Sequence, residues 1–190
     1  MTEAASMTGP REPEIDISVS CRLWEEALPD ARALSRNAAQ AVLRARGWAQ
    51  VRAHGPDLAH VEAGIVLADD AFVRGLNRDY RDRDRPTNVL SFPVQEPDQE
   101  IPARGETLTG MPVMLGDVVV AYETAAAEAI EEGKTLGDHL CHLVVHGMLH
   151  LLGHDHQTPA AAEAMEKLEV DVLAGLDIAN PYGDGHPAVN

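Results

Sequence analysis

The alternation of apolar and polar residues along the chain predicts four strands. Residues 15–20 alternate with a period of two, and residues 61–68, 87–94 and 114–121 form short aliphatic runs of strand length. Pro93 cannot donate a ladder hydrogen bond, which marks the third strand as an edge strand or as the end of a strand.

Apolar residues at helical spacing predict five helices between and after these strands. Asp69 and Thr135 are placed to accept hydrogen bonds from the first turns of two of them, and Gly153 follows the end of the fourth. The predicted helices cover residues 30–46, 70–78, 124–132, 135–151 and 160–176.

Composition predicts one domain with a tail at each end. The first residues are rich in small polar residues, proline and glutamate, so residues 1–13 are expected to form a flexible N-terminal tail. We expect residues 14–178 to form the single domain and residues 179–190, rich in proline and glycine, to form a C-terminal tail. Residues 95–111 predict a mobile loop within the domain. Because strands and helices do not alternate regularly, the expected fold class is α+β, with a small four-stranded mixed sheet packed with helices.

The sequence predicts neither a membrane span nor a secretory signal. No apolar run reaches the roughly 18 residues that cross a bilayer, and the N-terminus has neither a basic start nor an apolar stretch. We therefore expect a cytoplasmic protein with no membrane partner. Cys21 and Cys141 are expected to be buried thiols, because two cysteines without an export signal rarely form a disulfide framework.

The net charge of −16 argues against a nucleic-acid partner, because a phosphate backbone would be repelled. One basic cluster is the exception, and any RNA contact would have to use it. Aspartates interleave with its arginines, which leaves a second interpretation, a solvated turn with local ion pairs. The cluster consists of Arg78, Arg81, Arg83 and Arg85.

Six of the nine histidines fall within residues 139–156, and their spacing predicts a metal site on a long helix and the turn after it. His146 and His150 lie four residues apart, so their side chains project from one helix face in adjacent turns. Gly153 can take a left-handed conformation and turn the chain back, which would bring His156 to the same ion. Three neutral imidazoles suit Zn, Cu, Fe, Co or Ni, and zinc is the expected metal. An open site of this kind lowers the pKa of water and favours hydrolysis.

Other histidines leave alternative interpretations of this cluster. His139 or His142 could replace His156 as the third ligand, although a straight row along one helix cannot surround an ion. His139 and His142 otherwise suit positions in the core or next to a ligand, and His154 suits a position facing solvent or substrate. The spacing is similar to that of metzincin peptidases, but Gly147 stands where their general-base glutamate would be. The peptidase interpretation thereby loses its main support.

Three segments resemble motifs of the YbeY endoribonucleases, the bacterial rRNA maturation factors. Residues 146–156 read HGMLHLLGHDH and match H-G-x-L-H-L-x-G-x-D-H. Residues 80–93 match Y-R-x-x-D-x-P-T-N-V-L-S-F-P, and residues 115–118 read LGDV and are similar to L-G-D-I. The resemblance covers about residues 61–176.

The resemblance implies a zinc-dependent, single-strand-specific endoribonuclease that acts in 16S rRNA maturation and ribosome quality control. It implies one zinc ion per chain, bound by His146, His150 and His156, and a functional arginine, Arg81, in the groove beside the metal. The expected partners are a single-stranded rRNA precursor and the ribosome or its small-subunit proteins. Two other functions stay open: a ribosome-assembly adaptor with a mainly structural metal site, and a metallohydrolase of another substrate.

Three further residues near these motifs have more than one possible role. The sequence does not identify a general base, and Asp155 could instead fix the tautomer of a histidine ligand. Asn88 and Ser91 could bind RNA or could close a turn.

Overall fold

The computed structural model describes residues 13–45, 61–94 and 113–183. Within these residues it has four strands and six helices. In chain order they are β1 (Glu14–Val19), α1 (Leu23–Ala27), α2 (Ala31–Arg44), β2 (Val61–Ala68), α3 (Asp70–Arg81), β3 (Val89–Pro93), β4 (Val113–Ala121), α4 (Tyr122–Glu131), α5 (Leu136–Leu151) and α6 (Pro159–Ala174).

The strands form one mixed sheet in the order β1-β2-β4-β3. β1, β2 and β4 are parallel, and β3 pairs antiparallel with β4 at the edge. One row of buried residues crosses all four strands: Ile17, Ile65, Val118 and Ser91 are register partners in turn. The predicted α+β class with a four-stranded mixed sheet is confirmed.

The central element of the larger core is α5, which contacts α2, α4, α6, β3 and β4. Its residues from His139 to Leu149 are all buried. Thr135 begins the helix as predicted, because its Oγ1 accepts a hydrogen bond from the Asp138 N–H at 3.0 Å. On the opposite face of the sheet, α3 packs on β3 and β4 over a smaller cluster that includes Val73 and Leu90. The predicted metal helix is therefore held from several sides.

Two local predictions differ from the structure. The short helix α1 was not predicted, because five residues are too few for a periodic pattern; it is held by Trp24, whose Nε1 donates to the Ala68 carbonyl at 3.0 Å. Helix α3 begins after the predicted cap Asp69 but runs to Arg81, three residues beyond its predicted end. Only Asp82, at φ 55°, turns the chain out of the helix. This extension places Arg81 on the last turn of a helix.

The predicted tails and loop lie largely outside the described residues. Residues 1–12, the loop at 95–111 and residues 184–190 are among those that the structure does not describe. The domain bounds of 14 and 178 therefore stay predictions. Beyond residue 178, Pro181 is buried and Tyr182 contacts α6 through Glu169.

Two expectations about composition can be compared with the described residues. Cys21 and Cys141 are both free and buried, as expected. Among the described helices, none has the length and apolarity needed to cross a bilayer.

Helix α5 approaches the sheet at Gly147, where a side chain has no room. A Cβ there would lie 2.5 Å from Val118 Cγ1 and 3.1 Å from Ser91 Oγ. The Ser91 hydroxyl also donates to the Gly147 carbonyl at 3.1 Å. Position 147 therefore faces the sheet, and the glutamate of a metzincin peptidase could not be accommodated there without moving β3 and β4.

We expect Gly147→Ala to lower the free energy of unfolding by about 1–3 kcal/mol, because the buried, β-branched Val118 cannot rotate away from the new methyl group. The matched control is Gly75→Ala in α3, since a Cβ at Gly75 meets no described atom within 4 Å. That control should gain up to about 1 kcal/mol from helix propensity. Urea unfolding of both variants measures the effects. A Gly147→Ala protein as stable as its parent would contradict the close packing.

Candidate functional site

The turn after α5 brings a distant histidine back to the helix. The Gly153 N–H donates to the His150 carbonyl at 3.0 Å, and the His154 N–H donates to the Leu149 carbonyl at 3.0 Å. These two bonds are a Schellman motif, and it requires the left-handed φ of 85° that Gly153 adopts. The chain reverses there as predicted, and His156 lies back over the end of the helix.

The reversal brings His146, His150 and His156 together. One ring nitrogen of each lies within 4.8 Å of the other two, a spacing that allows all three to bind one metal ion. His146 is buried, His150 is half-buried and His156 is exposed. The group is thus anchored in the core on one side and open on the other, which leaves a position for a ligand from outside.

Hydrogen bonds fix which nitrogen of each helix histidine points into the group. His146 Nδ1 lies 2.8 Å from Glu169 Oε1, and His150 Nδ1 lies 2.9 Å from the His154 carbonyl oxygen. Both oxygens accept, so each Nδ1 carries the proton and each Nε2 presents a lone pair. The two Nε2 atoms are only 3.0 Å apart. Two lone pairs at this distance repel unless a cation lies between them, so the donor set fits a metal ion.

The pKa values of His150 and of the neighbouring Glu169 favour metal binding. Burial, together with the neighbouring His146 and His156, lowers the pKa of His150 to about 4. His150 is therefore neutral at pH 7, with its lone pair free. Burial alone would raise the pKa of Glu169, but hydrogen bonds from His142 and His146 outweigh it and bring the pKa to about 2. Glu169 is therefore an anion that orients His146.

Glu169 is a functional residue that the sequence reasoning missed. It lies in α6 and is 1% exposed, on a face whose other buried residues are Met165, Val172 and Leu173. A glutamate at a core position of a helix is rare unless it is paired. That exception to the apolar pattern was the available signal. Tyr182 OH and His142 Nε2 also contact its carboxylate.

The remaining histidines and Asp155 lie outside the converging group. His142 Nε2 is 3.4 Å from Glu169 Oε2, and His139 Nε2 is 2.8 Å from Glu128 Oε2. Both rings are buried, so they support the core around the site rather than join the cluster. The Asp155 carboxylate accepts from the Gln157 N–H at 3.2 Å, whereas the Nδ1 atoms of His146 and His150 use the other acceptors described above.

The three histidines share an open cleft of about 710 Å³ with Arg81, which the sequence analysis singled out. The Arg81 Nη2 donates to the Ser91 carbonyl at 3.2 Å, which holds the guanidinium beside edge strand β3. Arg83 and Arg85 line the same cleft. The structure therefore brings together all four residues proposed from the sequence.

Arg78, the remaining arginine of the basic cluster, is paired locally, and so is Arg74 earlier in α3. Arg78 pairs with Asp79 at 2.8 Å, and Arg74 makes two hydrogen bonds to Asp84, at 2.7 and 2.9 Å. The Arg78–Asp79 pair is exposed and is of the kind that the alternative interpretation expected. That interpretation therefore holds for Arg78, whereas Arg81, Arg83 and Arg85 line the cleft.

Asn88 and Ser91 have partners within the protein. Asn88 Nδ2 donates to the Glu128 carboxylate at 3.0 and 3.2 Å, and the Ser91 hydroxyl bonds α5 as described above. Both side chains are buried. Of their two possible roles, the structural one agrees with these bonds.

A family model and several known proteins are similar to this chain. The family model described as endoribonuclease YbeY matches residues 30–177. Among similar proteins, the endoribonuclease YbeY of Paramagnetospirillum magneticum is 50% identical over 90% of this chain and 96% of its own, and that of Parvibaculum lavamentivorans is 48% identical over 93% and 94%. The solution structure of a Thermotoga maritima protein, 22% identical, covers 93% of this chain and 99% of its own with a TM-score of 0.47. Because the family model spans most of the chain and such relatives match nearly end to end, this protein belongs to the YbeY endoribonuclease family.

Proposed function

We propose that the protein is a zinc-dependent, single-strand-specific endoribonuclease that acts in 16S rRNA maturation and ribosome quality control. The observation that carries the proposal is the convergence of His146, His150 and His156 in one cleft with Arg81. Membership of the YbeY endoribonuclease family supports RNA as the substrate.

Zinc is the proposed metal because the converging group found among the described residues consists of three imidazoles. His146, His150 and His156 would hold one ion per chain, and the ion would supply a Lewis acid that lowers the pKa of water at neutral pH. The open fourth position disfavours a mainly structural metal, since structural zinc sites are usually closed by four protein ligands.

Arg81 is the proposed catalytic arginine. Its guanidinium is always charged and matches the oxygens of a phosphate in a planar fork. The bond to the Ser91 carbonyl already holds it at the cleft wall, so little reorganisation is needed when negative charge builds up on the scissile phosphate. Glu169 acts on the other side of the site, where it keeps His146 in one tautomer and one orientation.

The cellular role follows from the substrate. A protein with a net charge of −16 repels RNA over most of its surface, so we propose that contacts with the ribosome or its small-subunit proteins help to deliver the rRNA precursor. Cleavage of the rRNA precursor would take place in the cytoplasm. A ribosome-assembly adaptor with weak nuclease activity and a metallohydrolase of another substrate are the competing proposals.

A substrate comparison separates the three proposals. Zinc-loaded protein is incubated with a single-stranded RNA, the same RNA annealed to its complement, and casein. We expect cleavage of the single strand, little cleavage of the duplex and no proteolysis. Cleavage of casein would favour the other metallohydrolase, and ribosome binding without cleavage of any RNA would favour the adaptor.

We expect Glu169→Gln to weaken zinc affinity by about 10–100-fold, the usual effect of losing a partner that orients a histidine ligand. Gln keeps the volume of the side chain but removes the charge that His146 contacts at 2.8 Å. Competition with a zinc chelator measures the affinity. Glu166→Gln, on the same helix, is the control and should keep the parental affinity. Unchanged affinity in Glu169→Gln would mean that Glu169 only fills the core.

A further inference from the structure

The segment between α3 and β3 is held in place by hydrogen bonds from one buried residue. Asn77 is 3% exposed, and its carbonyl accepts the Arg83 N–H at 3.2 Å. The Asn77 side-chain amide donates to the Arg85 carbonyl at 2.8 Å. The same asparagine therefore binds the backbone of the two residues on either side of Asp84.

A second anchor holds this segment from outside. The Asp84 carboxylate accepts two hydrogen bonds from the Arg74 guanidinium, at 2.7 and 2.9 Å. Asp82, in the left-handed region at φ 55°, sets the direction of the chain as it leaves α3. Residues 82–85 therefore form a defined turn, although their side chains are exposed.

The arginines of this turn carry charge that the described residues do not neutralise. Arg83 and Arg85 line the histidine cleft, and within the described residues neither forms an ion pair. The carboxylate among the described residues lining the cleft belongs to Asp155, which accepts from the Gln157 N–H. Together with Arg81, these two residues place three guanidinium groups along one cleft, on a chain of net charge −16.

We propose that Arg83 and Arg85 bind the phosphates that adjoin the scissile phosphate, so that the cleft takes a strand of at least three nucleotides. This inference rests on the proposed function. It assigns a ligand, the adjoining phosphates, to Arg83 and Arg85, which lie outside the catalytic group. Arg81 serves the reacting phosphate, whereas Arg83 and Arg85 act on binding. Because Asn77 and Arg74 fix the turn beforehand, little backbone entropy is lost when the strand binds.

The presence of three arginines in one cleft favours a polyanion over a single anion. Successive phosphates of a single strand offer one charge per nucleotide, and three arginines that line one cleft can contact several of them at once. Each phosphate neutralised on a single strand contributes about −0.7 to the slope of log affinity against log salt. A structural role of Arg83 and Arg85 would leave this slope unchanged, so the slope distinguishes the two roles.

Single-turnover cleavage of a single-stranded RNA by excess zinc-loaded protein tests the inference. The half-saturating protein concentration and the maximal rate are measured from 50 to 200 mM KCl, roughly the range in which phosphate contacts dominate affinity. We expect Arg83→Gln and Arg85→Gln each to raise the half-saturating concentration roughly tenfold at low salt, with the maximal rate unchanged. Each should also reduce the salt slope by about 0.7.

Two sets of variants control the experiment. Arg78→Gln removes a charge that is paired with Asp79 outside the cleft, and it should match the parent. Arg83→Lys and Arg85→Lys keep the charge and should retain the salt slope.

Three results would overturn the inference. In the first, both glutamine variants bind and cleave like the parent; in the second, Arg78→Gln loses as much affinity as they do. In the third, the maximal rate of the glutamine variants falls while their half-saturating protein concentration stays at the parental value. A parent protein that cleaves no single-stranded RNA would overturn the proposed function itself, and this inference with it.

Discussion

Replacing His156 by alanine is expected to abolish both metal retention and RNA cleavage. The other two histidines remain four residues apart on α5, but two ligands do not hold an ion in an open site as three do. The loss of affinity should exceed the roughly 10–100-fold that removal of an orienting partner costs. Zinc content after dialysis and cleavage of a single-stranded RNA measure the two effects.

His154→Ala is the matched control for this variant, because it changes a histidine in the same turn. The contact of His154 with His150 is made by its backbone carbonyl, which alanine retains. His142→Ala should also keep zinc, although it removes a contact to Glu169. Equal zinc content in the His156→Ala protein and its parent would show that the third ligand has been misassigned.

Replacing Arg81 by alanine is expected to leave zinc bound and the fold intact while cleavage falls by about 100- to 1,000-fold. Removal of one preorganised donor to a developing oxyanion has an effect of that size. A guanidinium has no lone pair for a metal, so zinc content should not change. In the structure Arg81 is exposed, and its side-chain hydrogen bond goes to the Ser91 carbonyl. Its loss should therefore cost little stability.

Arg81→Lys tests whether charge or geometry matters at this position. Lysine supplies a point charge in place of a planar fork, so we expect only partial recovery of the rate. Single-turnover rates and zinc content are compared in the three proteins. Cleavage by Arg81→Ala at the parental rate would make Arg81 part of a solvated turn and remove it from the mechanism.

The sequence predicted the helix and turn of the site because both depend on local rules. A four-residue spacing places His146 and His150 on one face, and Gly153 is the residue that a Schellman motif requires. The turn at Gly153 alone brings His156 back to the other two histidines, so no contact with a distant element had to be predicted. The same local rules predicted the cap at Asp69, whose Oδ1 accepts the Phe72 N–H at 2.8 Å.

The residues that the sequence did not assign depend on contacts between distant elements. Glu169 reaches His146 across 23 positions of sequence, so only the packing of α6 on α5 shows what it does. Contacts between distant elements also decide which arginines of the cluster line the cleft and which form local ion pairs. Whether Arg78 or Arg81 faces the cleft depends on where α3 ends and on how it lies against β3, and periodicity fixes neither.

The measurement that tests the central claim most directly pairs metal content with cleavage in one preparation. Protein purified without an affinity tag is analysed for metals, treated with a chelator, and then supplied with zinc again. We expect one zinc per chain, loss of RNA cleavage on chelation and recovery of cleavage with zinc. A metal-free preparation that cleaves single-stranded RNA at the full rate would contradict the account.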